Sequence, residues 1–139
     1  MTLEVLTGNW SDDVVSKAAV WTPEEVRFKS ESEKFWILGG KYVLQEMKDD
    51  IFVTAYSSKE KAVKMWHFNS AGYSHEWTGT WNQEKNVLTL KSDLDGNPTV
   101  SAILKQDFTD DGTNIWSAIA TDKDGKVYHH MEGVAKRRK

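Results

Sequence analysis

The chain has 139 residues, no cysteine and a formal net charge of -3, and 39% of its residues are hydrophobic. This length fits one domain with its own core, and the absence of cysteine excludes disulfides, thiol nucleophiles and cysteine-ligated metals. The only concentrated basic run is at 136–139, so we expect no nucleic-acid partner. We predict a single domain over residues 1–139 with a basic C-terminal tail at 136–139.

The N-terminal residues MTLEVLTGNWSDD lack the basic start and the apolar run of a signal peptide. No window of the sequence has the length and apolar character of a membrane span. We therefore expect a cytoplasmic protein, or a secreted one if an N-terminal signal has been removed.

The first segment, which follows Trp10, fits either a helix or a strand. Ser11 and the two aspartates after it suit a helix start, because serine caps helices and early acids favour the helix N-terminus. The same residues fit a first strand, which we prefer because of the family resemblance described below.

From residue 25 onward, short apolar or alternating segments are separated by turns that contain glycine. The turns at 70–72, 110–112 and 123–125 suit a type I turn followed by a left-handed glycine, and further turns are predicted at 39–40 and 95–98. We predict strands near 25–37, 41–48, 51–57, 62–69, 73–81, 86–92, 99–109, 113–121 and 126–136. Nine or ten antiparallel strands predict an all-β fold, a single up-and-down β-barrel.

The stretch 66–81, WHFNSAGYSHEWTGTW, places seven aromatic or imidazole side chains around one turn. If residues 70–72 form the loop, His67 lies opposite His75 and Met65 lies opposite Trp77. We predict that this face points into the barrel, with Val63, Met65, His67, Tyr73, His75 and Trp77 on it.

The same construction, applied to the last two hairpins, sets Ile119 opposite both Ile103 and His129, and Ser117 opposite Met131. One shared face then carries Ile103, Ile115, Ser117, Ile119, Val127, His129 and Met131. The other face carries Leu104, Trp116 beside Glu132, and His130 near Ala118. The sequence leaves open which of these two faces lines the barrel.

The ring-rich interior has two interpretations. Each aromatic ring taken alone is better explained as core filling. For His67 and His75 the two interpretations are balanced, because two facing imidazoles inside a barrel need polar partners, water or a ligand.

Gly8, Asn9 and Trp10 resemble the Gly-x-Trp signature of the calycin superfamily of lipocalin-like barrels, and the basic C-terminal end fits the same group. The resemblance implies that Trp10 closes one end of the barrel beneath a basic residue of the last strand, Arg137 or Arg138. That role would be structural.

Further motifs resemble a bacterial lipocalin-like family, domain of unknown function 1579. They are the Trp-x-Pro turn at 21–23, the phrase ILGGKYV at 37–43, a strand that ends in Trp, and Glu132 ahead of Arg137. This resemblance implies a lipocalin-like fold with a first strand after Trp10, and it implies no activity.

We predict no metal site and no bound cofactor. Zinc would need His67, His75 and His129 to converge from two hairpins. The aspartate pairs at 12–13, 49–50 and 110–111 lack the spacing of a calcium loop, and we interpret them as turn formers. Haem with an axial histidine is the alternative cofactor.

The sequence predicts a binding protein rather than an enzyme, with a small hydrophobic or aromatic molecule in the barrel. The alternatives are an enzyme with His67 or His75 as general base, a haem-binding barrel, and a filled barrel with a structural or partner-binding role. The predicted ligand-binding residues are Met65, His67, Tyr73, His75, Trp77, His129 and Met131.

Overall fold

The computed structural model describes residues 3–94 and 99–138. Ten antiparallel strands form a closed barrel in which each strand pairs with its neighbours in sequence, and the first strand pairs with the last. This confirms the predicted all-β, lipocalin-like up-and-down barrel. The strands are β1 (Gly8–Ser16), β2 (Val26–Ile37), β3 (Tyr42–Glu46), β4 (Asp50–Ser57), β5 (Ala62–Asn69), β6 (Ser74–Asn82), β7 (Val87–Leu94), β8 (Val100–Asp107), β9 (Thr113–Thr121) and β10 (Val127–Arg137).

Helix is limited to one 3-10 turn at Glu4–Leu6 within the part of the chain that the structure describes. No helix in residues 3–94 and 99–138 has the length and apolar character needed to cross a membrane.

Glycines allow several of the tight turns between strands. Gly72, Gly112 and Gly125 have φ angles of 96°, 69° and 84°, in the left-handed region that the sequence predicted. At the first of these turns the backbone N–H of Asn69 donates to the carbonyl oxygen of Tyr73 over 3.0 Å and closes the β5–β6 hairpin. The turn predicted at 95–98 lies outside the described residues.

The segment after Trp10 is a strand and not a helix. In β1, Trp10 and Val14 are buried while Asp13 between them is exposed, which is the alternation of a strand with one face in the core. Asp12 and Asp13 therefore lie within a strand, and their assignment as turn formers is wrong.

The register of the last hairpin differs from the prediction by one residue. Thr121 pairs with Val127 next to the turn, as predicted, but a bulge between Val127 and His129 shifts every later pair. Ile119 consequently lies opposite His130, and Ser117 opposite Glu132.

This bulge splits the predicted shared face between the two sides of the barrel wall. Met131 pairs with Ser16 and Ala118 on the inner side, whereas Ile103 and Ile115 are exposed on the outer side. Trp116 lies opposite Gly133 and not beside Glu132.

Two apolar clusters lie inside the barrel. One cluster closes the end where the 3-10 turn lies, which we call the closed end: Leu3, Leu6, Trp10, Val43, Phe108 and Ala135. The other lies along β5 to β9: Val63, Met65, Trp77, Leu88, Leu90, Val100, Ala102 and Ala120. The opposite end, where the segments after β1, β3, β5 and β9 lie, is called the open end.

Trp10 and Arg137 meet at the closed end. The Trp10 ring is 1% exposed, and the Arg137 guanidinium carbon lies 4.8 Å from its centroid. Nε and Nη2 of Arg137 donate to the carbonyl oxygens of Thr7 and Val5 over 3.0 and 2.8 Å. Arg138 instead lies 3.8 Å from Glu31 in an exposed ion pair. Because β10 extends to Arg137, the last strand includes the first two of the four basic residues.

Candidate functional site

A cluster of four rings lies toward the open end on β4, β5 and the start of β6. His67 stacks on Phe52 with 4.2 Å between ring centroids and an interplanar angle of 4°. Tyr73 and His75 lie 5.9 and 6.2 Å from the His67 ring and 5.4 Å from each other. The predicted pairing of His67 with His75 and of Met65 with Trp77 is confirmed, so these three predicted site residues, His67, Tyr73 and His75, come together.

His67 is held by a carboxylate that the sequence interpretation missed. Asp50 Oδ1 lies 2.7 Å from His67 Nε2 and accepts a second hydrogen bond from Asn69 Nδ2 over 2.8 Å. An ionised carboxylate only accepts, so His67 donates from Nε2 and, when neutral, keeps Nδ1 as an acceptor. Asp50 is the first residue of β4 and not a turn former, because its side chain reaches across to β5.

Met65 and Trp77 lie side by side in the apolar cluster along β5 to β9. Both are buried, and the Trp77 indole Nε1 has no hydrogen-bond partner. A buried N–H without an acceptor costs free energy, so this donor is available to an acceptor that enters the barrel.

His129 and Met131 lie on the other side of the barrel from the ring cluster. They belong to β10, and β9, β8 and β7 separate that strand from β6. The His129 ring lies 6.4 Å from that of Trp21, and burial together with the neighbouring His130 lowers the pKa of His129. The described residues contain no group of three or more His, Asp or Glu side chains that could hold a metal ion.

Inward-facing apolar side chains at the open end are not covered. Phe28 pairs with the buried Val14 and Val26 pairs with the buried Ser16, so all four lie on the inner face. Nevertheless Phe28 is 43% and Val26 is 52% exposed. The barrel is therefore closed by the cluster around Trp10 at one end and open to solvent along β2 at the other.

A polar inner wall on β1 and β2 was also missed. Ser16, Ser32 and Lys34 are buried there, and Asp12 lies beside them. Ser16 Oγ and Asp12 Oδ1 are buried without a hydrogen-bond partner, while Asp12 Oδ2 accepts from Trp116 Nε1 over 2.9 Å. The sequence of β2 gives no signal for this wall, since residues 30–34 read SESEK and are polar on both faces.

Two concavities lie on the outer surface of the barrel. One, of about 410 Å³, is lined by outward residues that include Val15, Ile115 and Val134. The other, of about 330 Å³, is lined by Glu31, Glu33, Glu46, Met47 and neighbouring residues. Neither contains any of the predicted ligand-binding residues.

Comparison with solved structures identifies the architecture. The chain resembles an S-type phycobiliprotein lyase from Guillardia theta with a TM-score of 0.60 and 14% sequence identity, over 98% of this chain and 90% of the lyase chain. At this identity the likeness establishes a shared lipocalin-like barrel fold. No protein-family model and no curated protein matches the chain, so the resemblance to domain of unknown function 1579 stays a prediction.

Proposed function

We propose that this protein binds a small, largely apolar or aromatic molecule, which enters the barrel through its open end. The observation that carries the proposal is the exposure of inward-facing Val26 and Phe28, 52% and 43%, in a barrel whose other end is closed by the apolar cluster around Trp10. Inner-face apolar side chains that remain in contact with water favour an apolar occupant, because covering them removes apolar surface from water.

Polar groups around this space would orient the ligand. The Trp77 N–H offers a donor without a partner, and Ser16 Oγ offers a hydroxyl without one. The rings of Phe52, His67 and Tyr73 supply flat apolar faces with polar edges. These features favour a ligand with an aromatic or aliphatic body and at least one hydrogen-bond acceptor. From the phycobiliprotein lyase the proposal takes the barrel and not the activity.

Native mass spectrometry of gently purified protein tests the proposal, with an absorption spectrum of the same sample. We expect additional mass that leaves on denaturation, and visible absorption only if the ligand is haem or another pigment. A bare chain mass is followed by titration with pyrenebutanol, a neutral apolar probe. Failure to bind the probe as well would overturn the proposal in favour of a filled barrel.

Two inward variants and one outward control locate the binding. Trp77→Phe removes the indole donor while it keeps an aromatic ring, and His67→Ala removes a wall of the ring cluster. Either change is expected to weaken binding by about three- to tenfold, which corresponds to one lost hydrogen bond or ring contact. Phe68→Ala on the outer face should leave the affinity unchanged. Equal affinity in all three variants would remove these residues from the site.

An enzyme is the second candidate, and the 2.7 Å contact between Asp50 and His67 is the observation that favours it. A carboxylate that orients a histidine is the arrangement found in general-base catalysis. The released ligand, incubated with fresh protein, distinguishes the two. A change in its mass that disappears in His67→Ala indicates catalysis, and an unchanged mass indicates binding alone.

A further inference from the structure

Lys34 is a buried cation on the inner wall of β2. It pairs with Gly8 and Gln45, and only 8% of it is exposed. Its Nζ lies 5.0 Å from the centroid of the Trp10 ring. Among the described residues, no carboxylate oxygen of Asp or Glu lies within 4.0 Å of this Nζ. A buried ammonium is costly unless a counter-charge neutralises it.

The charged side chains around Lys34, together with Lys34 itself, carry a net positive charge. Arg137 lies on the same Trp10 ring, and its partner Asp111 is fully exposed and 3.9 Å away, where solvent screens it. Asp12 is the carboxylate that faces Lys34 from β1, and it is already engaged by Trp116. Within residues 3–94 and 99–138, two cations, Lys34 and Arg137, therefore face one inner carboxylate, Asp12, and a monovalent anion would neutralise the excess.

The pKa values of Lys34 and Asp12 agree with this excess of positive charge. The pKa of Lys34 is lowered to about 8, mainly by burial; Asp12 opposes the change and Arg137 adds to it. Burial likewise raises the pKa of Asp12, against the Trp116 hydrogen bond and Lys34. Near neutral pH the lysine is still mostly protonated and able to bind an anion.

We propose that Lys34 binds the anionic end of the ligand, so that the barrel takes a small amphipathic acid with its carboxylate inside and its apolar body toward the open end. This inference rests on the proposed function, because it places the ligand in the same interior. The inward positions of β2 between Phe28 and Lys34 are Ser30 and Ser32, whose small side chains occupy little of the barrel.

The distance along β2 from the open end to Lys34 indicates the size of the acid. Val26 at the open end and Lys34 are eight residues apart on β2, which is about 26 Å along a strand at ~3.3 Å per residue. With a strand tilt of roughly 40°, the depth is about 20 Å. An acid with a polycyclic or medium-length aliphatic body spans this distance and would contact both Lys34 and Phe28, whereas acetate is too short to do so.

The test compares two fluorescent probes, pyrenebutanoate and pyrenebutanol, which share their ring and chain and differ in the anionic end. Titrations at pH ~7 measure the affinity of each for the wild type, Lys34→Met and Lys29→Met. Lys29 is the matched control, an exposed lysine on the outer face of the same strand. We expect the wild type and Lys29→Met to prefer the acid by about tenfold or more, the value of a hydrogen bond to a charged group.

In Lys34→Met the preference for the acid should disappear while the alcohol still binds. If the acid and the alcohol bind the wild type equally, or if Lys34→Met keeps the preference, the inference is wrong although the proposed function stands. If neither probe binds the wild type, the proposed function itself fails.

A second measurement needs no variant and so does not depend on the folding of Lys34→Met. Both probes keep their charge between pH ~7 and ~9.5, while Lys34 loses its proton in this range. The preference of the wild type for the acid should fall by roughly tenfold across the range. A preference that is constant with pH would contradict an anchor at Lys34.

Discussion

Trp10 is the residue on which the closed end depends most. Its Nε1 donates to the carbonyl oxygen of Leu6 over 3.0 Å, its ring meets Phe108 edge-on at 6.2 Å, and Arg137 lies over it at 4.8 Å. One side chain thus joins the 3-10 turn, the segment after β8 and the last strand. The family resemblance predicted this pair, and of the two basic candidates it is Arg137 that makes the contact.

Trp10→Ala is expected to lower the free energy of unfolding by about 3 to 5 kcal/mol, because it leaves a large cavity in a packed cluster. Urea unfolding followed by circular dichroism measures the change. Trp21→Ala is the control, since Trp21 is half exposed and its loss should cost far less. Equal losses in the two variants would contradict the structural role of Trp10.

The lowered pKa of the buried Lys34 predicts that the stability of the protein depends on pH in an unusual way. Its pKa is about 8 in the folded protein, whereas the ordinary lysine pKa of 10.5 applies to the unfolded chain. Between these values the unfolded chain holds more protons, so raising the pH through this window stabilises the folded state. The full gain is about 3 kcal/mol, from ~1.4 kcal/mol per pKa unit.

The difference in unfolding free energy between the wild type and Lys34→Met isolates this contribution, because other titrating groups cancel. Measured in urea from pH ~7 to ~10, the difference should move in favour of the wild type by up to about 3 kcal/mol. A difference that does not change with pH would show that Lys34 is solvated in the folded protein.

At the scale of single elements, the glycine turns and the alternation of apolar and polar residues predicted the strands. The register of the last hairpin depends on a tertiary contact that these patterns do not show. The turn at 123–125 set the first pair of the β9–β10 hairpin correctly. The bulge after Val127 lies where the segment following β1 docks, with Trp21 N–H donating to the carbonyl oxygen of Tyr128 and Lys17 N–H to that of His130. Nothing in the sequence of β10 marks this long-range contact, so the register beyond it was not predictable.

Gly133 tests the corrected register. A Cβ at this position would lie 2.4 Å from the Trp116 indole, whose Nε1 is fixed by Asp12. Gly133→Ala should therefore destabilise the protein by about 1 to 3 kcal/mol, seen as a lower melting temperature. In a Trp116→Leu background the same change should cost much less. Equal costs in both backgrounds would mean that Trp116 does not lie over Gly133.

At the scale of the whole molecule, the interior has an apolar wall along β5 to β9 and a polar wall on β1 and β2. The apolar wall was predictable, because Met65 and Trp77 alternate with polar neighbours around a recognisable turn. The polar wall was not, because Lys34 becomes an interior residue only through the pairing of β2 with β1. For the same reason the contact of Asp50 with His67 was not predictable from the sequence.

The packing also places limits on where a ligand can lie. The cluster around Trp10 closes one end, and the cluster along β5 to β9 packs one side of the barrel as far as Val100 near the open end, so a ligand is expected along the inner face of β2, from the exposed Val26 and Phe28 to Lys34. Binding there should cover Phe28 and Val26, and the ring cluster around His67 lies toward the same end. Natural proteins commonly retain such uncovered apolar surface and buried polar groups at functional sites at some cost in stability.

The most direct test of the central claim is nuclear magnetic resonance of the methionine and isoleucine methyl groups, with pyrenebutanol as the probe. Met131 and Met65 lie on opposite inner walls of the barrel, whereas Ile103 and Ile115 are exposed on its outer side. We predict nuclear Overhauser contacts from the probe to Met131 or Met65 and none to Ile103 or Ile115. Contacts to the outer isoleucines alone, or a bound probe that touches neither inner methionine, would contradict a ligand inside the barrel.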